Sequence, residues 1–179
     1  SLGQSLSPQS VDEAASRAEK LFNAGQWADA DVAYANLMQS FSSTVTHAVN
    51  LKRLITLANV KKMPDAAIAF GMIPANAKEK EDAYYQLALG YAKNKLWPGA
   101  RATADEMRSK FPNGNRVAKT FIDLGMAARD AKNKSEESYY LRTAVAAYPT
   151  NVDVAKAQFE LAWLQHDSKS YEMSSQMFV

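Results

Sequence analysis

No cysteine occurs anywhere in the 179 residues. Its absence excludes disulfides, thiolate nucleophiles and thiolate zinc sites, and it leaves the compartment open, because cytosolic and exported proteins both tolerate it. Glycine and proline are scarce, at seven and six residues, which argues against turn-rich β folds and against disorder. Histidine is limited to His47 and His166, and neither has a second His at ligand spacing, so a metal or general-base role has no constellation to rest on. Missing too is any uninterrupted apolar run of the roughly 18 to 20 residues that a membrane-spanning helix needs. Charge of one sign does not prevail either. The 21 basic and 19 acidic side chains are interspersed, with no basic run longer than Lys61-Lys62, which describes a solvated surface and offers no nucleic-acid footprint.

What the chain does have is helical periodicity. Hydrophobic residues make up 47% of it, and they recur at i, i+3, i+4 and i+7 between breaker clusters at residues 40–46, 73–78, 111–115 and 148–151. The Ser/Gln-rich residues 1–9 read as a flexible leader. After them, Ser10-Val11-Asp12-Glu13 predicts a capping box that opens the first helix. Pro64 and Pro98 each follow a short turn and suit the start of a helix, where a missing N–H costs nothing. At the other end, Tyr171 to Val179 read as a helix that stops without Gly or Pro, which suggests a piece of a longer protein.

A repeat emerges when the turns are aligned. Trp27 precedes Ala30 and Tyr34, Met63 precedes Ala66 and Phe70, Trp97 precedes Ala100 and Ala104, and Tyr171 precedes Ser174 and Phe178. Lys134, Glu137 and Leu141 form a weaker copy, so the anchors stand at 27, 63, 97, 134 and 171. In the preceding helices a small residue recurs as Ala18, Ala88, Gly125 and Ala162, which lets a partner helix approach closely, whereas Leu54 replaces it in the second copy. Pro112 and Pro149 follow the aromatic residues Phe111 and Tyr148. The pattern resembles the tetratricopeptide repeat. It implies an all-α fold, a right-handed superhelix of antiparallel helix pairs, each supported by the next. The expected arrangement is a single solenoid over residues 10–179, with pairs at about 10–44, 45–78, 79–114, 115–150 and a truncated 151–179.

Chemistry-bearing motifs are sparse. Glu136 and Glu137 point about 100° apart on a helix and do not face each other as an acid and base pair. Glu79 and Glu81 suit a helix start, where they complement the dipole. There is no glycine-rich phosphate loop and no serine nucleophile elbow. The expectation is therefore no catalytic residue, no metal and no cofactor within this chain. Trp27 and Trp97 stand where a bulky residue wedges two helices together. Trp163 falls beside the small residue of its repeat, at a place that looks into a concave groove. The groove-facing candidates are Phe22, Ile55, Tyr85, Leu89, Ile122, Met126, Phe159 and Trp163, with Arg129 and His166 among the polar residues beside them. So apolar a groove is expected either to be covered by another segment or partner peptide, or to pack against itself through tight curvature.

Several stretches carry a second resemblance. Lys110-Phe111-Pro112-Asn113-Gly114, Ala147-Tyr148-Pro149-Thr150-Asn151 and Ala155 to Trp163, followed by Lys169-Ser170-Tyr171-Glu172, look like the helical region that precedes the catalytic domain in bacterial soluble lytic murein transglycosylases. The resemblance extends loosely over most of the chain and is strongest from Phe111 to Val179. It implies a periplasmic parent enzyme that cleaves the glycan of peptidoglycan without water, leaving a 1,6-anhydro product. In that family the catalytic Glu lies in a Glu-Ser motif of a lysozyme-like domain. Glu137-Ser138 is the only such dipeptide here and lacks the surrounding motif, so the role is not carried onto it. The implied role is a non-catalytic scaffold whose partners are the catalytic domain of its own chain or another protein, with peptidoglycan as a further candidate. A free-standing adaptor of the cell envelope is the alternative.

Overall fold

A computed structural model describes residues 8–177. Among the described residues there are nine α-helices, one 3-10 turn and no strand. The helices are α1 (Pro8–Asn23), α2 (Trp27–Phe41), α3 (His47–Asn59), α4 (Met63–Gly71), α5 (Lys80–Lys93), α6 (Trp97–Lys110), α7 (Val117–Asp130), α8 (Lys134–Ala147) and α9 (Val154–Met177). None of them is long and apolar enough to cross a membrane. The chain divides into two compact units, one ending at Gly90 and the other beginning at Tyr91, so the boundary lies within α5. In the first unit α1 packs on α2, α2 on α3, and α3 on α4. In the second, α6 packs on α7, α7 on α8, and both α7 and α8 on α9.

The aligned anchors Trp27, Met63, Trp97 and Lys134 are each the first residue of an even-numbered helix. Pro64 and Pro98 are the second residues of α4 and α6, still inside the first turn, where no helical partner is needed for an N–H. The residue two places before each anchor adopts the left-handed conformation: Gly25 at φ 68°, Lys61 at 65°, Lys95 at 59° and Lys132 at 58°. The same pair of hydrogen bonds closes every turn. Lys61 N–H donates to Ala58 C=O (3.2 Å) and Lys62 N–H to Leu57 C=O (2.8 Å); Lys95 N–H donates to Ala92 C=O (2.9 Å) and Leu96 N–H to Tyr91 C=O (2.9 Å). Gly25 with Gln26, and Lys132 with Asn133, do likewise. This is the Schellman arrangement, which satisfies carbonyls left open at a helix end. Three of the four turns carry Lys at a position where a Cβ is strained.

Small residues set the spacing inside the pairs. Ala18, Ala30, Ala66, Ala88 and Ala100 are completely buried. A Cβ built on Gly125 would lie 2.5 Å from Leu141 Cδ2 and 2.8 Å from its Cγ, and Leu141 is itself fully buried. Larger residues then fill the flanks, with Tyr34 and Leu37 in the first pair and Phe121 and Tyr140, ring centroids 6.4 Å apart, in the fourth. Leu54, which replaces the small residue in the second pair, is accommodated with no exposure at all.

Neighbouring pairs are joined by ion pairs whose members stand about one repeat apart. Lys52 meets Glu19 at 2.6 Å, Lys62 meets Asp31 at 2.6 Å, Arg101 meets Glu136 at 2.9 Å, Arg129 meets Glu160 at 2.9 Å and Lys134 meets Asp167 at 2.8 Å. Their sequence separations are 33, 31, 35, 31 and 33. Partly or fully exposed, each is worth only about 0 to 1 kcal/mol, so they favour one register more than they stabilise the fold. A buried cation closes the first unit. The Lys80 ammonium donates to Ile73 C=O (2.7 Å) and Phe70 C=O (3.0 Å) and lies 3.6 Å from the Phe70 ring centroid.

Two expectations at the ends differ from the structure. Helix α1 already runs from Pro8, so Ser10 lies inside its first turn and not at its start. Residues 1–7 of the expected leader lie outside the described residues. No turn precedes Tyr171: α9 continues through Met177, because Ser168-Lys169-Ser170 contains neither Gly nor Pro to force a break. Phe178 lies outside the described residues, as do the side chains of Tyr171 and Ser174.

Two substitutions test this packing. Lys95→Gly removes the left-handed strain of a side chain and is expected to stabilise the chain by about 0.5 to 1 kcal/mol in urea unfolding. Gly125→Ala is expected to cost about 1 to 3 kcal/mol, overpacking outweighing the gain in helix propensity. A neutral Gly125→Ala would show that α7 and α8 are not in tight contact there.

Candidate functional site

The ten groove candidates are divided between the two units. Phe22, Ile55, Tyr85 and Leu89 belong to the first unit; Ile122, Met126, Arg129, Phe159, Trp163 and His166 belong to the second. Phe22 is half-buried because its ring packs edge-on against Trp27, with centroids 5.5 Å apart, inside the first pair. Ile55, Tyr85, Leu89 and Met126 are also half-buried, and Ile122 is buried. Arg129 is engaged with Glu160 and, at 3.6 Å, with Asp130. Of the ten, only Ile122 is buried; the other nine keep part of their surface exposed.

Three of the ten do come together, all on α9. Phe159 and Trp163 are 62% and 57% exposed, and their rings meet edge to face at 6.4 Å. The His166 ring continues the row 5.9 Å from Trp163. These residues occur at i, i+4 and i+7, one stripe of a helix. The opposite side of α9 carries Val154 and Ala157, both buried, and the half-buried Leu161 and Leu164. At 3.6 residues per turn, Trp163 lies about 200° from Leu161, so the helix has two opposed apolar faces and only one is covered.

A second cluster was not singled out as a site by sequence reasoning. Glu137 is 6% exposed, at the place where Ala30, Ala66 and Ala100 stand in the other pairs. Burial pushes its carboxyl above the ordinary range, the nearby Glu160 charge adds to this, and Arg129 and Lys134 oppose it. The clue was visible in the alignment, where an acid breaks a column of small residues. Elsewhere the polar groups serve the scaffold. Burial first, and the Glu19 charge second, push the Tyr34 hydroxyl up to about 12. Arg101 stacks 3.8 Å from the Tyr139 ring centroid, and the Tyr139 hydroxyl donates to Asp105 Oδ1 at 3.3 Å.

His47 and His166, in different units, are both exposed. Among the described residues no three His, Asp or Glu side chains converge into a metal-binding set. No protein-family model matches the chain, and no curated protein matches it.

The Glu137 environment gives a pH dependence of known sign. A carboxyl raised on folding makes the native state bind more protons than the unfolded chain between the two pKa values, so stability falls as pH rises through that window. Glu137→Gln is therefore expected to raise the thermal midpoint at pH 7 and to flatten its decline above the ordinary carboxylate range. An unchanged pH profile would remove Glu137 as the source.

Proposed function

We propose that this chain is a non-catalytic helical scaffold, a right-handed superhelix of tetratricopeptide-like pairs, that acts by presenting surfaces to other parts of an assembly. The observation that carries this reading is the use of its charged residues. Glu19, Lys52, Asp31, Lys62, Arg101, Glu136, Arg129 and Glu160 are engaged in contacts about one repeat apart, where they hold neighbouring pairs in register. Side chains committed in that way support an architecture and not a reaction centre.

Within this reading the parent is a periplasmic lytic murein transglycosylase. The chain positions its catalytic domain on peptidoglycan, with the glycan itself as a candidate contact. The support is the set of sequence words at Lys110–Gly114, Ala147–Asn151 and Ala155–Trp163. A second reading, an adaptor for a partner protein in the cell envelope, is favoured by one feature, the exposed Phe159 and Trp163.

Purified sacculi distinguish them. The full gene product is expected to release 1,6-anhydro muropeptides, detected by mass spectrometry, and deletion of residues 10–179 is expected to reduce that release severalfold. No release from the full product would overturn the transglycosylase reading, and release that survives the deletion unchanged would overturn the positioning role of the scaffold. Retention of one specific protein, with no affinity for sacculi, would support the adaptor.

A further inference from the structure

We propose that the cleft between α8 and α9 binds a phosphate-bearing ligand, a phosphate monoester or diphosphate held by Lys134, Arg142 and Lys169. The cleft encloses about 570 Å³, within the range of small-molecule sites. Helix α8 contributes Lys134 and Arg142 to its lining, and α9 contributes Lys169. Both helices belong to the second unit, and they pack directly on each other. Among the described residues that line the cleft there is no acid. Two clefts of the first pair differ in this respect. One sets Asp12 and Glu13 against Arg17 and Lys20, and the other sets Glu13 and Asp29 against Arg17. Their charges offset one another, whereas those of the α8–α9 cleft add.

The cations also remain open to a ligand. Arg142 and Lys169 are exposed, and neither makes an ion pair with a described side chain, unlike the charged residues that hold neighbouring pairs in register. Lys134 is held by Asp167 at 2.8 Å, yet its side chain stays 60% exposed, and an ammonium has three N–H donors. Hydroxyls and an amide stand among these charges, from Ser135, Ser138 and Gln165. Ser135, Ser138 and Arg142 recur at i, i+3 and i+7 on α8, and Gln165 and Lys169 at i and i+4 on α9, so each set shares one helix face. Such a donor set suits phosphate better than carboxylate. A carboxylate offers two oxygens in one plane. A phosphate monoester carries nearly two negative charges at pH 7 and three terminal oxygens, which can accept from a guanidinium fork, ammonium groups and hydroxyls on two helices at once. Leu164 adds an apolar wall for the carbon body of an ester. The assignment rests on α8 and α9 alone and does not depend on which parent the scaffold serves.

Titration calorimetry of the full chain at low ionic strength tests it, with glycerol 3-phosphate and inorganic pyrophosphate as probes. Saturable binding at one site is expected. Arg142→Ala and Lys169→Ala are each expected to weaken it by about tenfold, the loss of one charge-assisted contact. Both side chains are exposed, so the two variants are expected to keep the wild-type thermal midpoint. Lys93→Ala removes an exposed cation of the same unit that does not line the cleft, and is expected to change the affinity by less than about twofold. Cosedimentation with phosphatidylglycerol vesicles identifies the source of the phosphate. Binding of the soluble probes without cosedimentation assigns a free phosphate ester. Cosedimentation that Arg142→Ala and Lys169→Ala abolish, with or without binding of the soluble probes, assigns a lipid headgroup to the same cleft. No saturable binding of either probe or of the vesicles would overturn the proposal. Equal losses in Lys93→Ala and Arg142→Ala would overturn it too, because they would reduce the binding to a diffuse positive field.

Discussion

Two packed helices come only as near as the bulkiest atom between them allows, and in this chain that limit is set by Ala or Gly at nearly every closest approach. Ala18 and Ala30 in the first pair, Ala66 in the second, Ala100 on α6 and Gly125 on α7 leave no side chain to hold the backbones apart. Close approach buries the large neighbours Tyr34, Met63, Phe121, Tyr140 and Leu141 and excludes water from around them. It also requires tight turns. Three residues join α1 to α2, α3 to α4, α5 to α6 and α7 to α8, and a left-handed residue in each lets the chain reverse while both helix-end carbonyls are satisfied.

Much of this was legible in the amino-acid order because it is local. Helical spacing of apolar residues and the recurring column of anchors marked where Trp27, Met63, Trp97 and Lys134 begin their helices. The lysines at 61, 95 and 132 gave no such signal, because nothing in a lysine announces a positive φ; only the alignment of turns reveals the column. The burial of Lys80 was equally hidden. Its ammonium is satisfied by carbonyls of Phe70 and Ile73, which belong to the preceding helix end and loop, so the interaction exists only once that loop has its shape. The turn expected before Tyr171 rested on an anchor without a breaker, and the continuous α9 reflects that Ser-Lys-Ser tolerates helix.

The candidate site was less legible than the fold. Helical phase alone puts Phe22, Ile122 and Trp163 on comparable faces, yet their fates differ: Phe22 meets Trp27, Ile122 is buried, and Trp163 remains open. What decides is the layer packed above each helix, a non-local property. Glu137 shows the reverse. An acid in a column of alanines looked like a degenerate match, whereas its burial makes it an ionisable group held away from water and subject to the charges of Glu160 and Arg129.

The ion pairs that stitch one helix pair to the next have a consequence for how such a chain can change over evolutionary time. Because partners sit 31 to 35 positions apart on successive helix pairs, an insertion of one or two residues inside a helix rotates every later side chain away from its mate. Small frame slips within helices are thereby penalised.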